Sequence, residues 1–133
     1  MKKLLAVGLL LSIMLAGCGG GGASTSLNVD MVEFAYLPSA FTVPAGEEIT
    51  LHLTNGGAVV HDFVIMNSGV TVGEKYDDED KANIYWMAEI QPGSDETTTF
   101  IAPTEPGEYQ VVCGIPGHYS AGMVATLTVV DGQ

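Results

Sequence analysis

The sequence predicts an all-β domain, a sandwich or a barrel, from three observations. From Asn28 onward, most of the chain consists of short apolar runs or of alternating apolar and polar residues, which is the pattern of strands. Gly, Pro and Asn bound these runs and supply turns between them. The chain has 133 residues, which is enough for one domain with a substantial core.

Seven segments carry the strand pattern, and seven or so short strands favour a sandwich or a barrel. In chain order they are residues 29–34, 41–43, 48–54, 61–66, 96–102, 107–113 and 123–130. Between residues 68 and 91 the pattern changes, because an acidic run precedes apolar residues near helical spacing. Those apolar residues are Ile84, Trp86, Met87 and Ile90. This stretch predicts one short helix, with Asp80 or a neighbour as its cap.

The first residues, MKKLLAVGLLLSIMLAGC, have the layout of a secretion signal: two lysines, an apolar run and then small residues. The apolar run is much shorter than the about 20 residues that a transmembrane helix needs. Its ending, Leu15-Ala16-Gly17-Cys18, resembles the cleavage box of bacterial lipoproteins. That resemblance implies a signal peptide at residues 1–17, removed on export, and a lipid on the sulfur of Cys18. The stretch GGGGASTS then predicts a flexible tether within residues 18–28, followed by one domain at 29–133.

Charge is the second strong constraint on function. The chain has 16 acidic residues and four lysines, of which Lys2 and Lys3 leave with the signal. A polyanion of this kind repels nucleic acid phosphates, so we expect no nucleic acid partner and a basic protein partner instead. The acidic run GEKYDDED, residues 73–80, is either a solvated loop or a docking patch that steers such a partner.

The stretch VVCGIPGHYSAGMVATLTVV places Cys113, His118 and Met123 at intervals of five residues. If Cys18 carries lipid, Cys113 has no disulfide partner, and an unpaired cysteine in an exported protein needs another explanation. A turn at Pro116-Gly117 allows the loop to fold back so that these side chains can converge. His61, which opens the strand predicted at 61–66, can join them only through the tertiary fold.

One thiolate, two imidazoles and one thioether form a softer donor set than the oxygen ligands of calcium or magnesium. Structural zinc takes four Cys or His and does not recruit methionine. Two histidines and a cysteine with a weak axial methionine are typical of blue copper, so we predict His61, Cys113, His118 and Met123 as the ligands of one type 1 copper. Each residue taken singly is more often structural. His52 alternates with apolar neighbours in its strand and is excluded as a solvent-side residue.

His61, the Cys113-x4-His118-x4-Met123 loop and the strand pattern together resemble the cupredoxins over residues 29–130. Both loop spacings are similar to those of the auracyanin and rusticyanin branch. The resemblance implies a Greek-key β-sandwich of about seven to eight strands with one short helix. It also implies that the edge of His118 reaches solvent, within an apolar surface formed by Ala58, Ile115, Pro116 and Tyr119.

One residue departs from the family pattern, because many relatives have Asn after the first ligand histidine and this chain has Asp62. An ionised carboxylate near the site favours Cu(II) over Cu(I) and is expected to lower the reduction potential.

Four protein donors leave no open position for a substrate, unlike a catalytic metal site, so we expect an electron carrier and not an enzyme. The expected function is a monomeric, exported electron-transfer protein, lipid-anchored to the outer face of the cell membrane. Its expected partners are a quinol-oxidising complex, a cytochrome, a reaction centre or an oxidase. The alternative is an exported copper-binding module for copper delivery or storage. A thiol hydrolase with Cys113 as nucleophile and His118 as base leaves His61 and Met123 without a role.

Overall fold

The strand patterns of the sequence produce nine strands in residues 22–132, the part of the chain that the computed structural model describes. They are β1 (Ser26–Val32), β2 (Ala35–Leu37), β3 (Ala40–Pro44), β4 (Glu48–Asn55), β5 (His61–Met66), β6 (Ile84–Ile90), β7 (Asp95–Ile101), β8 (Gly107–Val112) and β9 (Val124–Val130). One 3-10 helix, Asp80–Asn83, precedes β6.

The strands form two sheets, with the orders β2-β1-β4-β7 and β3-β9-β8-β5-β6. The pairs β1–β4 and β3–β9 are parallel, and the other pairs are antiparallel. The chain changes sheet five times, between β2 and β3, β3 and β4, β4 and β5, β6 and β7, and β7 and β8, so neighbours in a sheet are often distant in sequence. The prediction of an all-β sandwich is confirmed.

The core lies between the two sheets and consists of the inward residues of each strand. In β4, for example, Ile49, Leu51 and Leu53 are fully buried, while Thr50 and His52 between them are partly exposed. Burying each such side chain stabilises the fold by about 1.5–3 kcal/mol relative to leaving it exposed. β5 differs from this pattern because all six of its residues are buried. A second apolar cluster, which includes Val64 and Val72, covers its other face.

The helix predicted from the apolar residues at 84–90 is wrong, since this segment is the edge strand β6. Its side chains alternate, with Trp86 partly buried against Phe100 and Met87 46 % exposed. The apolar residues look helically spaced only if Met87 faces inward, and in the structure Met87 faces outward. Antiparallel pairing with β5 gives β6 its backbone hydrogen bonds, and this tertiary contact decides its structure.

The helical structure in this region is limited to the 3-10 turn Asp80–Asn83. Glu79 occupies the N-cap position, without a side-chain hydrogen bond. The carboxylate of Asp80 instead accepts a hydrogen bond from the backbone N–H of Asp77, at 2.9 Å. Asp80 therefore stabilises the preceding turn.

Strand boundaries otherwise fall within three residues of the predicted ones, and β5 agrees at both ends. β1 begins at Ser26, inside the stretch predicted as tether, and the three-residue strand β2 has no counterpart among the predictions. The predicted signal at residues 1–17 and the lipid site at Cys18 lie outside the described residues. Within residues 22–132, no helix has both the length and the apolar character needed to cross a membrane.

Candidate metal centre

Cys113 directly follows β8, and the loop from Cys113 to Met123 closes on itself through backbone hydrogen bonds. The N–H of Cys113 donates to the carbonyl of Met123 at 3.2 Å, and the N–H of Met123 donates to the carbonyl of His118 at 3.1 Å. Gly117 lies in the left-handed region with φ of +85°, which glycine adopts without steric cost. The predicted Pro-Gly turn is therefore present and brings the loop back on itself.

His61 reaches this loop through the pairing of β5 with β8. The register places Val64 opposite Val112, so the start of β5 lies beside the end of β8. The backbone N–H of Asp62 donates to Sγ of Cys113 at 3.3 Å. A separation of 52 residues in sequence is thus bridged by a single strand pair.

The structure brings three of the four predicted ligands together around one point. Nδ1 of His61 lies 3.2 Å from Nδ1 of His118, and Sγ of Cys113 lies 3.4 Å from His118 Nδ1 and 4.0 Å from His61 Nδ1. Metal bonds of about 2.0–2.1 Å to nitrogen and about 2.3 Å to sulfur, the values for zinc, separate three trigonal donors by roughly 3.5–3.8 Å. The observed spacing would allow His61, Cys113 and His118 to hold one metal ion together.

Met123 lies at the end of the loop, with its side chain fully buried in the same apolar cluster as Cys113. The backbone bond between the two residues holds them side by side. The loop therefore places Met123, the predicted fourth ligand, next to the donor residue Cys113.

Burial controls the protonation of the three donors. It lowers the pKa of His61 and, likewise, that of His118, so both rings are neutral at neutral pH and keep a lone pair for a metal. Burial raises the pKa of the Cys113 thiol, and backbone N–H groups of Asp62 and Ile115 partly oppose this effect. The thiol must therefore lose its proton when a metal binds.

Asp62 is buried against the ligand loop. Burial, and the charge of Glu89 on the neighbouring strand, raise the pKa of its carboxyl group to about 6. Its Oδ1 has no hydrogen-bond partner within the described residues. A Cβ at Gly114 would lie 3.0 Å from Asp62 Oδ2 and 3.1 Å from the ring of Tyr76, so any larger residue would require these neighbours to shift by a few tenths of an ångström.

Two residues that the sequence did not single out border the centre, Glu33 and Phe34 in the link between β1 and β2. The Phe34 ring packs edge-on against His118 with centroids 4.8 Å apart, and it is 40 % exposed. Oε1 of Glu33 lies 3.7 Å from Nε2 of His61, and backbone N–H donors lower the pKa of Glu33. Sequence reasoning missed both because it read residues 29–34 as one strand.

The predicted apolar surface around His118 is present in part. His118 retains 8 % exposure, whereas His61 has none, and Ala58 and Pro116 are exposed. Tyr119 has a different role: its hydroxyl donates to the carbonyl of Val72 at 3.0 Å and fastens the ligand loop to the segment before the acidic run.

His52 lies outside the centre, as predicted. It is partly exposed on β4, where its Nδ1 is 2.9 Å from the hydroxyl of Thr97.

Comparison with known proteins relates this chain to copper-binding proteins. Residues 23–130 match the family described as copper binding proteins, plastocyanin/azurin family. The chain belongs to the plastocyanin/azurin family of copper-binding proteins. The predicted resemblance to cupredoxins is confirmed.

Individual relatives point to the auracyanin-like branch of the cupredoxins. Auracyanin-A of Chloroflexus aurantiacus is 29 % identical over 144 residues, covering 86 % of this chain and 88 % of that protein. The reduced auracyanin of Roseiflexus castenholzii superposes with a TM-score of 0.68 at 33 % identity, covering 82 % of this chain and 99 % of that one. The copper-resistant cuproprotein CopI of Rubrivivax gelatinosus is 30 % identical over 98 residues, covering 69 % of this chain and 58 % of that protein.

Family membership and the His-Cys-His group together establish the cofactor and the class of the protein. This cupredoxin is a copper protein of the blue copper, electron-transfer family, and its donor group fits one type 1 copper. Cupredoxins of this kind carry electrons and are not enzymes.

Proposed function

We propose that His61, Cys113, His118 and Met123 bind one copper ion and that this protein carries single electrons by cycling between Cu(I) and Cu(II). The observation that carries the proposal is the convergence of two imidazole nitrogens and one thiol sulfur, all from buried residues, within 4.8 Å of one another. Bound copper supplies the one-electron couple. Thiolate and thioether donors suit Cu(I), and imidazole suits both oxidation states.

The protein contributes a fixed set of donors. The hydrogen bond from the N–H of Asp62 stabilises the Cys113 thiolate, and the loop bonds between Cys113, His118 and Met123 hold the spacing. Full burial of His61 and Cys113 excludes water from the site. The donors therefore need little rearrangement when the charge of the site changes.

Electrons would enter and leave beside His118, the ligand with residual exposure. The exposed ring of Phe34 packs against His118. Pro116 of the ligand loop and Ala58 of the β4–β5 loop are also exposed. A small apolar surface of this kind suits a transient redox complex, which buries little area and separates quickly.

We further propose that the protein is exported, anchored to the outer face of the cell membrane by lipid on Cys18, and works as a monomer. The signal-like start of the chain and the lipoprotein-like box support this proposal. The strong acidic excess favours basic redox partners, such as a cytochrome, a reaction centre, an oxidase or a quinol-oxidising complex, and disfavours nucleic acid.

A visible absorption spectrum of residues 23–133 tests the electron-carrier function. Loading with Cu(II) should give an intense thiolate-to-copper band that bleaches with ascorbate and returns on reoxidation, without loss of copper. Cys113→Ser should remove the band. Bound copper with a pale spectrum, or copper that is released on each reduction, would contradict this function.

A second candidate is copper delivery or storage, which the likeness to the copper-resistant cuproprotein CopI favours. It predicts an exchangeable site, so a Cu(I) chelator should remove copper within minutes. The electron-carrier function predicts that copper stays bound through many redox cycles in the presence of the same chelator.

A further inference from the structure

Nε2 of His61 is a buried ring nitrogen that the proposed set of four copper ligands does not use. Nδ1 of His61 faces Cys113 and His118, so Nε2 points away from the donor plane. A neutral imidazole that offers Nδ1 as a lone pair carries its proton on Nε2. Nε2 is completely buried and has no hydrogen-bond partner within residues 22–132. A buried donor of this kind requires an acceptor.

The carboxylate of Glu33 lies next to this nitrogen, with Oε1 3.7 Å from Nε2. This distance is longer than a hydrogen bond, and a shift of well under 1 Å would complete one. The same oxygen accepts hydrogen bonds from the backbone N–H groups of Ala58 at 2.6 Å and Val59 at 3.2 Å. Glu33 is therefore held at His61 although part of its side chain is exposed.

The loop that holds Glu33, between β4 and β5, packs closely against both the Glu33 carboxylate and the His61 ring. A Cβ at Gly57 would overlap the Glu33 carboxylate and lie 3.0 Å from His61 Nε2, so a larger residue here would push Glu33 out of its present position. The buried side chain of Asn55 accepts from the N–H of Gly57 at 2.9 Å and donates to the carbonyl of Val59 at 2.9 Å. Asn55 thereby fixes the loop whose N–H groups hold Glu33.

We propose that Glu33 is a positioning residue for the copper site: its carboxylate accepts a hydrogen bond from Nε2–H of His61 and so directs Nδ1 toward the metal. A carboxylate behind a ligand histidine fixes the ring and its tautomer and makes the ligand more basic. The negative charge of Glu33 also favours Cu(II) over Cu(I). This inference rests on the proposed copper ligands and adds a residue from outside the ligand set.

Three variants separate the role of Glu33 in orienting the His61 ring from the effect of its negative charge. Glu33→Ala removes both the acceptor and the charge, whereas Glu33→Gln keeps an acceptor oxygen and removes only the charge. Glu48→Gln is the matched control, because Glu48 is an exposed glutamate at the opposite end of β4 from the site. Thermal unfolding of each apoprotein shows whether the fold is retained.

The first readout is 15N NMR of His61 in the apoprotein, which does not depend on copper chemistry. We expect a slowly exchanging Nε2–H in the wild type and in Glu33→Gln, and at least tenfold faster exchange in Glu33→Ala. The second readout is the ratio of Cu(II) to Cu(I) affinity. Loss of an outer partner typically costs about 10- to 100-fold in metal affinity, so we expect the Cu(II) affinity to fall by that factor in Glu33→Ala. Glu33→Gln should lower the ratio while its Nε2–H stays protected.

The inference is overturned if Glu33→Ala matches Glu48→Gln in Nε2–H exchange, whether or not copper binds. If the wild type shows reversible copper chemistry and Glu33→Ala alters neither exchange nor the affinity ratio, only the role of Glu33 fails. If the wild type shows no thiolate-to-copper band at all, the proposed function fails, and the exchange measurement in the apoprotein still decides the role of Glu33.

Discussion

Asp62 is a carboxylic acid buried beside the ligand cysteine. Its backbone serves the site directly, because the N–H donates to Cys113 Sγ and the carbonyl accepts a hydrogen bond from the hydroxyl of Tyr36. Its side chain has no such partner at Oδ1 within the described residues. The folded protein is therefore more stable when this carboxyl group is protonated.

The stability of the apoprotein should depend on this proton. The pKa of Asp62 is raised from 3.8 to about 6 in the folded state, so the folded state binds more protons than the unfolded state between these values. Its contribution to the free energy of unfolding therefore falls as pH rises from about 4 to 6, by on the order of 3 kcal/mol in all. Relative to the wild type, Asp62→Asn should gain stability over this window and keep the gain at pH 8. Urea unfolding of both apoproteins from pH 4 to 8 measures the difference, and parallel curves would rule out the effect.

Copper binding should release one proton, and Cys113 is its source. Burial lowers the pKa of both ligand histidines and raises that of the Cys113 thiol, so near pH 7–8 only the thiol still carries a proton to lose. The apparent Cu(I) affinity should therefore rise about tenfold per pH unit. Anaerobic competition with a chelator of known affinity at pH 7 and 8 provides the measurement. An affinity that does not change with pH would mean that Cys113 is not bound as thiolate.

At the level of elements, β6 shows how an edge strand can imitate a helix in sequence. Its inward residues are Ile84, Trp86, Ala88 and Ile90, but Ala88 is only weakly apolar and the outward Met87 is strongly so. The pairing of β6 with β5 also completes the sheet that carries His61.

Substitutions on the two faces of β6 should differ strongly in their effect on protein stability. Trp86 is partly buried and packs against Phe100 with centroids 5.1 Å apart, so Trp86→Ala should destabilise the protein by about 2 kcal/mol, less than a fully buried Trp. Met87→Ala should change stability by less than about 0.5 kcal/mol because Met87 lies on the exposed face. Equal losses in chemical denaturation would contradict the strand assignment.

The fold class and the grouping of His61, Cys113 and His118 were predictable from sequence because they leave strong local signals. Period-two patterns indicate strands, and an unpaired Cys113 with His118 and Met123 at fixed spacing is a rare combination. The contacts of Glu33 and Phe34 were not predictable, because they follow from a short link between β1 and β2 that has no pattern of its own. Nor does sequence reveal that Asp62 is buried, which depends on Gly114 and Tyr76 packing over it.

For the whole molecule, the acidic segment at residues 73–80 lies beside the ligand loop. Ser120 of that loop donates a hydrogen bond to the carbonyl of Glu74 at 3.3 Å, and Tyr119 contacts Val72. The carboxylates of Asp77 and Asp80 accept backbone hydrogen bonds within the segment, so they also maintain its turn. Substitutions that remove charge from the acidic segment should therefore leave Asp77 and Asp80 unchanged.

If the segment steers a basic partner, removing its free charges should slow electron transfer at low salt. The double variant Glu74→Gln, Glu79→Gln should react several-fold more slowly than the wild type with a basic c-type cytochrome at about 10 mM ionic strength. At about 500 mM, where charges are screened, the rates should converge. The matched control is Glu47→Gln, Glu105→Gln, which removes two exposed charges elsewhere. Stopped-flow rates that are equal for both variants at every salt concentration would identify the segment as a solvated loop.

Copper K-edge X-ray absorption of the copper-loaded protein in both oxidation states tests whether His61, Cys113 and His118 hold a copper ion that changes valence. We expect one short copper–sulfur bond and two copper–nitrogen bonds in Cu(II), with the same three donors and nearly the same lengths in Cu(I). A spectrum without the short sulfur bond, or a donor set that changes on reduction, would contradict a redox centre built from His61, Cys113 and His118.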